Sequence, residues 1–576
     1  MPPYPRLWYK GLMSPKFVML AALSAAAAWA QPAIARVVNS ASYVEAPSDG
    51  ATPPNRVGNN NVAQGAIFVA IGTGLGPAAL VQATSLPLPT SLPSSSGSTS
   101  VAIKSGGQTF NAFMIYSFSG AVAGILPSAI PVGPAQVTVT FNGQTSAAAT
   151  ISVVKSRLGV YTFNSGGTGP AAIQFGGTAN LVNLTTPAQP NSVLTLYGTG
   201  LGAISGADNV APGAVLVGSN VQVNVAGKQA GVLYAGRSPN FPGLDQINFT
   251  LPADVATGCY IPAEVTASGI PSQQFTISIS NDPTACAHPL RLAKDALAKL
   301  DVPGGTANVG LFLFLRAVVA GVPAEGAGGL FNRADFNNVF QMYNRITVAF
   351  GGSNFPVATG SCAVLDTVDP PSGFSVPDFT LLGGKELNAG DGMTIAPGSG
   401  FIVKNPSGGY LNVFFGTFGP GQFSLMSGGG PEVGAFTAST TMPDNLVWSN
   451  VGSFSSPPRT DLTIAWTGGT GGTAGANSIV TVFGSSVVVN PNDPSKNRGA
   501  QFFCNALATS GRFVVPAAVV QRLPSSTGLA AGEVAFGNLG INSGGGSTFT
   551  APLTSGKLDA GFLSYGEAHT ITVQFQ

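Results

Sequence analysis

The sequence predicts an all-β chain, a row of antiparallel β-sandwiches, and three observations carry that prediction. Charged residues make up only 8% of 576 residues, against 44% hydrophobic. Turn formers abound, with 77 Gly and 44 Pro. Apolar residues recur with a period of two: Ile67, Val69 and Ile71 alternate with Phe68 and Ala70, and Val221, Val223 and Val225 alternate with Gln222 and Asn224. That period places alternate side chains on one buried face of a strand, and Gly and Pro punctuate such strands at turns. So few charges exclude a disordered acidic or basic tail. At this length three or four domains are expected.

Residues 1–30 read as a signal peptide. Arg6, Lys10 and Lys16 precede the apolar stretch Phe17 to Ala28, and Ala28-Trp29-Ala30 fits a cleavage site. No Cys follows to carry a lipid. Removing this leader leaves 21 basic against 23 acidic residues, so the mature chain lacks the basic field that nucleic acid or anionic lipid requires. The longest later apolar run, Val309 to Val322, is broken by Arg316 and Gly321. It is too short for a membrane span, and no transmembrane segment is expected in the mature chain. The expected location is the periplasm, the cell surface or the medium.

Two modules follow, at residues 36–155 and 156–286, because the chain repeats. Ile67 to Pro77 reads IFVAIGTGLGP and Val193 to Ala203 reads VLTLYGTGLGA. The GTGLG blocks start at Gly72 and Gly198, an offset of 126 that Val137 and Ala263 also share. Turns are expected at Asn142-Gly143, Ala226-Gly227 and Ser268-Gly269, and an exposed loop at Leu86 to Ser100. Residues 287–302 are a linker or short helix, with Leu292 and Leu297 or Leu300 on one face. Strand texture resumes in two further sandwiches, 303–440 and 441–576, which are separate or form one unit. A Gly-rich hairpin at Thr467 to Gly475 is expected to join Ile464–Trp466 to Ile479–Phe483.

The four cysteines, Cys259, Cys286, Cys362 and Cys504, favour disulfides in an exported chain. Three pairings are open; spacing favours Cys259–Cys286, which leaves Cys362–Cys504. A metal site needs clustered His and acidic residues or paired C-x-x-C motifs, and the sequence has neither.

The GTGLG block, the segment Gly243-Leu-Asp-Gln-Ile-Asn-Phe-Thr-Leu-Pro252 and the opening Val37-Val-Asn-Ser-Ala-Ser42 resemble the Solibacter-type uncharacterised C-terminal domain family. These are Ig-like modules akin to IPT/TIG domains in secreted acidobacterial proteins. The placement of Cys259 and Cys286 resembles that family too. The resemblance covers about residues 36–286, and the first module is degenerate, with Gly124-Ile-Leu-Pro127 where the family has a Gln-x-Asn strand. It implies tandem Ig-like sandwiches and no known catalytic activity. The second half is similar to another recurrent β domain of such proteins through Gly360-Ser-Cys362, Trp466-Thr-Gly-Gly469, Phe503-Cys504 and Gly511 to Pro516.

No catalytic residue, cofactor or metal ligand stands out. The chain has two histidines, His288 and His569, and no G-x-S-x-G elbow. GTGLG lacks the G-x-G-x-x-G spacing and the lysine of a phosphate loop, so its glycines are read as tight turns. Asn388 to Asp391 and Asn490 to Asp493 are oxygen-rich but unlike a calcium loop. Ligand contacts are expected, if anywhere, at Gln246 and Asn248, which share a strand face, and at Trp448, one of two mature tryptophans with the more core-like Trp466. The function expected is a non-catalytic structural, adhesive or interaction array, with surface polysaccharides or other surface proteins as partners. The alternatives are carbohydrate binding through exposed aromatics and glycoside hydrolysis by a carboxylate pair in the C-terminal half.

Overall fold

A computed structural model describes residues 31–42, 61–163, 169–217, 220–288, 292–301, 305–319, 322–335, 360, 362–366, 384–398, 400–406, 408–414, 418–469, 479–492 and 497–576. The expected signal peptide and Asp493 lie outside the described residues. The chain is all-β, with multiple mostly antiparallel sheets. It divides into two compact units: residues up to 181, 191–253 and 263–276 form one, and residues 182–190, 254–262 and 277–576 the other.

In the first unit, the first module is a two-sheet sandwich. One sheet orders Ala33–Asn39, Ile67–Thr73, Ala121–Ile125, Phe113–Phe118 and Val81–Gln82; the other orders Asn61–Ala63, Ala149–Val154, Gly133–Phe141, Gly97–Ser105 and Ser91–Ser94. Val37, Phe68, Ala70 and Met114 of one sheet meet Val101, Ile103, Val137 and Val153 of the other in a single buried core. Burying such side chains, at about 1.5–3 kcal/mol each, is what holds the layers together. The loop expected at Leu86 to Ser100 is instead a hairpin arm: Ser91–Ser94 pairs with Gly97–Ser100, and Leu92 is buried. Ser91 and Ser98 are exposed beside the buried Leu92 and Thr99, so a polar composition hid a strand.

The repeat is structural as well as textual. Ile67–Thr73 pairs antiparallel with Ala121–Ile125, as Val193–Thr199 pairs with Asp245–Thr250. In the second module these strands continue through Lys228–Arg237 to Val221–Val225 and Gly258–Ala267. All three expected turns carry positive φ at both central residues, 49° and 78° at Asn142-Gly143 and at Ala226-Gly227, 52° and 78° at Ser268-Gly269. That is the type I′ geometry whose twist matches antiparallel strands. In the first module one strand pairing departs from the antiparallel expectation: Asn61–Ala63 runs parallel to Ala149–Val154.

In the second unit the helix Lys294–Leu300 buries Ala296, Leu297 and Leu300. They pack with Leu292 and the Cys259–Cys286 disulfide in one cluster. Beyond it, strands from 303–440 and from 441–576 are hydrogen-bonded into one 13-stranded sheet. Thr306–Val319 lies at its centre, antiparallel to Val322–Asp335 and, against expectation, parallel to Ala560–Thr572. A strand covered on both sides reads as a continuous apolar run, which is why Val309 to Val322 was conspicuous in the sequence.

Among the described residues, two buried clusters on this sheet are the largest. One gathers Phe312, Phe314, Phe331, Tyr410, Phe423 and Phe436 where the sheet curls over, so that Phe436–Met442 packs against Val534–Phe549. The other lies between the sheet and a three-stranded layer of Val447–Trp448, Leu462–Thr467 and Arg512–Val515. The hairpin expected from Ile464–Trp466 to Ile479–Phe483 is therefore corrected. These strands lie in different sheets, and Ile464 and Trp466 share a core with Val480 and Val482. Cys362 and Cys504 are directly opposed across adjacent strands and are disulfide-bonded.

Candidate interaction surface and buried polar centres

The joint between the two modules of the first unit is the most elaborate polar centre among the described residues. Arg237, at the end of Lys228–Arg237, is completely buried and ion-paired with Asp245, which is equally buried. The Arg237 guanidinium also donates to the carbonyls of Gly202 at 2.6 Å and of Gly65, in the first module, at 3.0 Å. Asp245 accepts the Leu201 amide at 2.6 Å. Burial pushes its carboxyl above the usual range, against the pull of Arg237 and the Leu201 and Gly200 amides. Alongside, Asp208 accepts the amide and the hydroxyl of Ser128 at 2.6 Å each. The Asn39 amide donates to Thr199 O at 2.9 Å, and the Ile67 amide to Thr199 Oγ1 at 2.8 Å.

The second GTGLG block threads through this joint. Gly200 has φ +112°, and a Cβ there would run into the Arg157 carbonyl. Gly200 and Gly202, both with positive φ, turn the chain, while Gly198 still belongs to the strand Val193–Thr199, and the turn closes one module onto the next. The sequence reading missed Arg237 and Asp208 because a lone Arg before Ser-Pro and a lone Asp in a Gly-Ala loop have no periodic context. Asn39 sat in the quoted Val37 to Ser42 motif, but nothing there showed its partner.

A second buried polar cluster lies in the other unit. Arg316 on Thr306–Val319 pairs with Glu567 on Ala560–Thr572 at 2.5 Å and donates to Phe418 O at 2.7 Å. Glu567 accepts the Leu446 amide at 2.7 Å, and Glu325 accepts the Phe418 amide at 2.9 Å. Glu567 sits below the ordinary carboxylate range: burial raises it, but the nearby His569 ring and the hydrogen bonds from Arg316 and the Leu446 amide outweigh that. Glu325 sits above, raised by burial against the Phe418 amide and Arg316. Both carboxyls are buried and spent on backbone amides and a guanidinium, which suits tethering the segments at Phe418 and Leu446 to the central strands.

The remaining residues singled out in the sequence fall as follows. Gln246 and Asn248 lie half-buried on one face of Asp245–Thr250, and the Gln246 amide donates to Asn248 Oδ1 at 3.1 Å. That strand is central rather than at an edge, between Val193–Thr199 and Lys228–Arg237. Trp448 is corrected as a stacking platform: it is 5% exposed, packs against Phe454 at 5.7 Å between ring centroids and donates its Nε1–H to Asn450. Its strand is two residues long, too short for the sequence to reveal which way it faces; Val447 takes the outward side, 50% exposed. Trp466 is core, as expected. His288 is buried beside Tyr260, its Nε2 3.0 Å from the hydroxyl, and burial lowers its pKa to about 3. Asn388 and Asn490 spend their side-chain oxygens on the amides of Gly390 and Asn492, as turn residues do. No cluster of three metal-ligating side chains occurs among the described residues, and no helix there is long and apolar enough to cross a membrane.

An exposed aromatic does exist, but elsewhere. Gly392–Ala396 is hydrogen-bonded to Gly400–Lys404 on one side and Gly421–Ser427 on the other. Their outer face forms a shallow cleft of about 420 Å³ lined by Gly392, Thr394, Phe401, Met426 and Ser427, among others. Phe401 is 53% exposed. Sequence reading passed it over because Gly400–Lys404 is five residues long and reads as an ordinary apolar strand.

No family model matches the chain, and no curated protein matches it. Among solved structures it is similar to domains 5–6 of the S-layer protein SbsC, at 10% identity over 43% of this chain and 98% of that one, with a TM-score of 0.15. It is similar to SGBP-B from a complex xyloglucan utilization locus in Bacteroides uniformis, at 8% identity over 88% and 93% of the two chains, TM-score 0.15. Immunoglobulin domains 1–4 of Sidekick-1 share 9% identity over 92% and 99%, TM-score 0.11. These TM-scores are low, and the all-β, multi-sheet fold rests on the strand pairings themselves.

Proposed function

We propose that this chain is an exported, non-catalytic bacterial protein whose β-sandwich modules form a fixed interaction array, kin to the Solibacter-type modules its sequence resembles. The joint between the first two modules is the observation that supports it. A flexible string needs only a linker, whereas here the buried Arg237 guanidinium, the Asp208 carboxylate and the GTGLG turn bind one module to the next. Two disulfides favour export, since such bonds persist in oxidising compartments.

Native-state hydrogen exchange on the full mature chain tests the array. In Arg237→Ala the amides of Ile67, Ser128 and Leu201 are expected to lose protection together, because the joint opens as one piece. The variant leaves Asp245 buried without its partner, so the destabilisation is about 3–5 kcal/mol. Loss confined to Leu201, with Ile67 and Ser128 unchanged, would mean modules that merely touch. Recovery of the native protein reduced, in the cytoplasm, would remove export.

A further inference from the structure

We propose that the sheet face around Phe401 binds a neutral polysaccharide. The proposal deepens the reading of the chain as an exported interaction protein and rests on it.

Cross-strand rows of apolar and hydroxyl side chains make up the face. Phe401, Val403 and Met426 are its exposed apolar members, 53%, 45% and 36% accessible. Thr394 is the cross-strand partner of both Phe401 and Met426, and Met426 is in turn opposite Thr437. With strands about 4.8 Å apart, the row from Phe401 to Thr437 spans about 14 Å. Beside it lie Ser424 and Ser439, whose hydroxyls are 2.7 Å apart, and then Gln422 opposite Thr441. An aromatic ring thus stands at one end of a ladder of hydroxyls and one amide.

Charge selects the occupant. The outward positions of Gly392–Ala396, Gly400–Lys404, Gly421–Ser427 and Phe436–Met442 alternate through Thr, Phe, Val, Met, Ser and Gln, and none of those side chains ionises. A protein partner's interface is anchored by Trp, Tyr or Arg, and an anionic polymer calls for cations. This face offers neither. A neutral sugar chain complements this mixture: C–H faces of the rings lie on Phe401 and Met426, and hydroxyls exchange hydrogen bonds with Thr394, Ser424 and Thr437. The sheet is shallow enough to take a polymer lying along it rather than a chain end.

The test uses the full mature chain against phosphoric-acid-swollen cellulose, arabinoxylan and galactomannan, with polygalacturonate as the anionic control. Retention on at least one neutral polymer is expected, weakened about tenfold or more in Phe401→Ala, restored in Phe401→Tyr, with the melting temperature of both variants unchanged. Failure to bind any of the three, binding to polygalacturonate alone, or binding indifferent to Phe401→Ala overturns the proposal. So does a dimer, seen by sedimentation, that Phe401→Ala dissolves, since the occupant is then a second copy. None of these outcomes touches the joint, which answers to hydrogen exchange at Ile67, Ser128 and Leu201.

Discussion

Mild acid should loosen the region around the Cys259–Cys286 bond, and His288 is the reason. The ring is buried, hydrogen-bonded to Tyr260 and held neutral, with its pKa lowered to about 3 from 6.5. A depressed histidine pKa means that the unfolded segment takes up the proton first. Its stabilising effect is therefore complete above about pH 6.5 and declines as the pH falls toward 3. Between pH 7 and pH 5 the two-state expression for one proton gives a loss of about 2 kcal/mol. The Cys259 and Cys286 amides report it, because they donate to Ala287 O at 3.0 Å and Leu184 O at 3.2 Å. Their opening free energies, from hydrogen exchange on the oxidised chain, should fall by about that amount. In His288→Gln, which keeps a polar partner for Tyr260 but cannot titrate, the fall should disappear. The ring itself is checked by nuclear magnetic resonance: with only two histidines in the chain, the His288 Cε1 proton should stay at its neutral shift down to pH 4. A ring that titrates near 6.5, or identical pH dependence in wild type and His288→Gln, would refute the reasoning.

Two further outcomes follow from covalent and backbone geometry. Replacing Cys259 and Cys286 with serine frees a loop whose ends are 27 residues apart; the loss expected from the unfolded chain is about 3–4 kcal/mol, read by chemical denaturation, and a loss below about 1 kcal/mol would mean that the bond constrains nothing. Gly200→Ala should cost at least about 2 kcal/mol because it combines a positive φ with a collision against the Arg157 carbonyl. Gly206→Ala, in open space, should shift the thermal midpoint little, and equal effects of the two would refute the tight-turn account of GTGLG.

What the sequence made legible was local. Val221, Val223 and Val225 announced a strand, and Ala226-Gly227 its turn, because each depends on neighbours two or three residues away. Burial at a distance was illegible. Trp448 faces a core built by Leu462, Phe502 and Phe575, and two residues of strand cannot encode which side that core is on. Arg237 earns its position from Gly65, 172 residues earlier. Whether residues 303–440 and 441–576 share one sheet stayed open for the same reason: strand pairing is a contact between remote segments, and hydrophobic periodicity is silent about which remote segment. Phe401 shows the converse. A strand face without a cover looks, in sequence, like one that has it.

The parallel pairing of Thr306–Val319 with Ala560–Thr572 has a consequence for biogenesis. Arg316 and Glu567 are 251 residues apart along the chain, so the middle of the big sheet cannot be completed until residues 560–572 have been synthesised. Contacts that remote fold slowly. Thr306–Val319 therefore gains its antiparallel neighbour Val322–Asp335 early and locally, and its parallel neighbour Ala560–Thr572 only by closing a loop of about 240 residues.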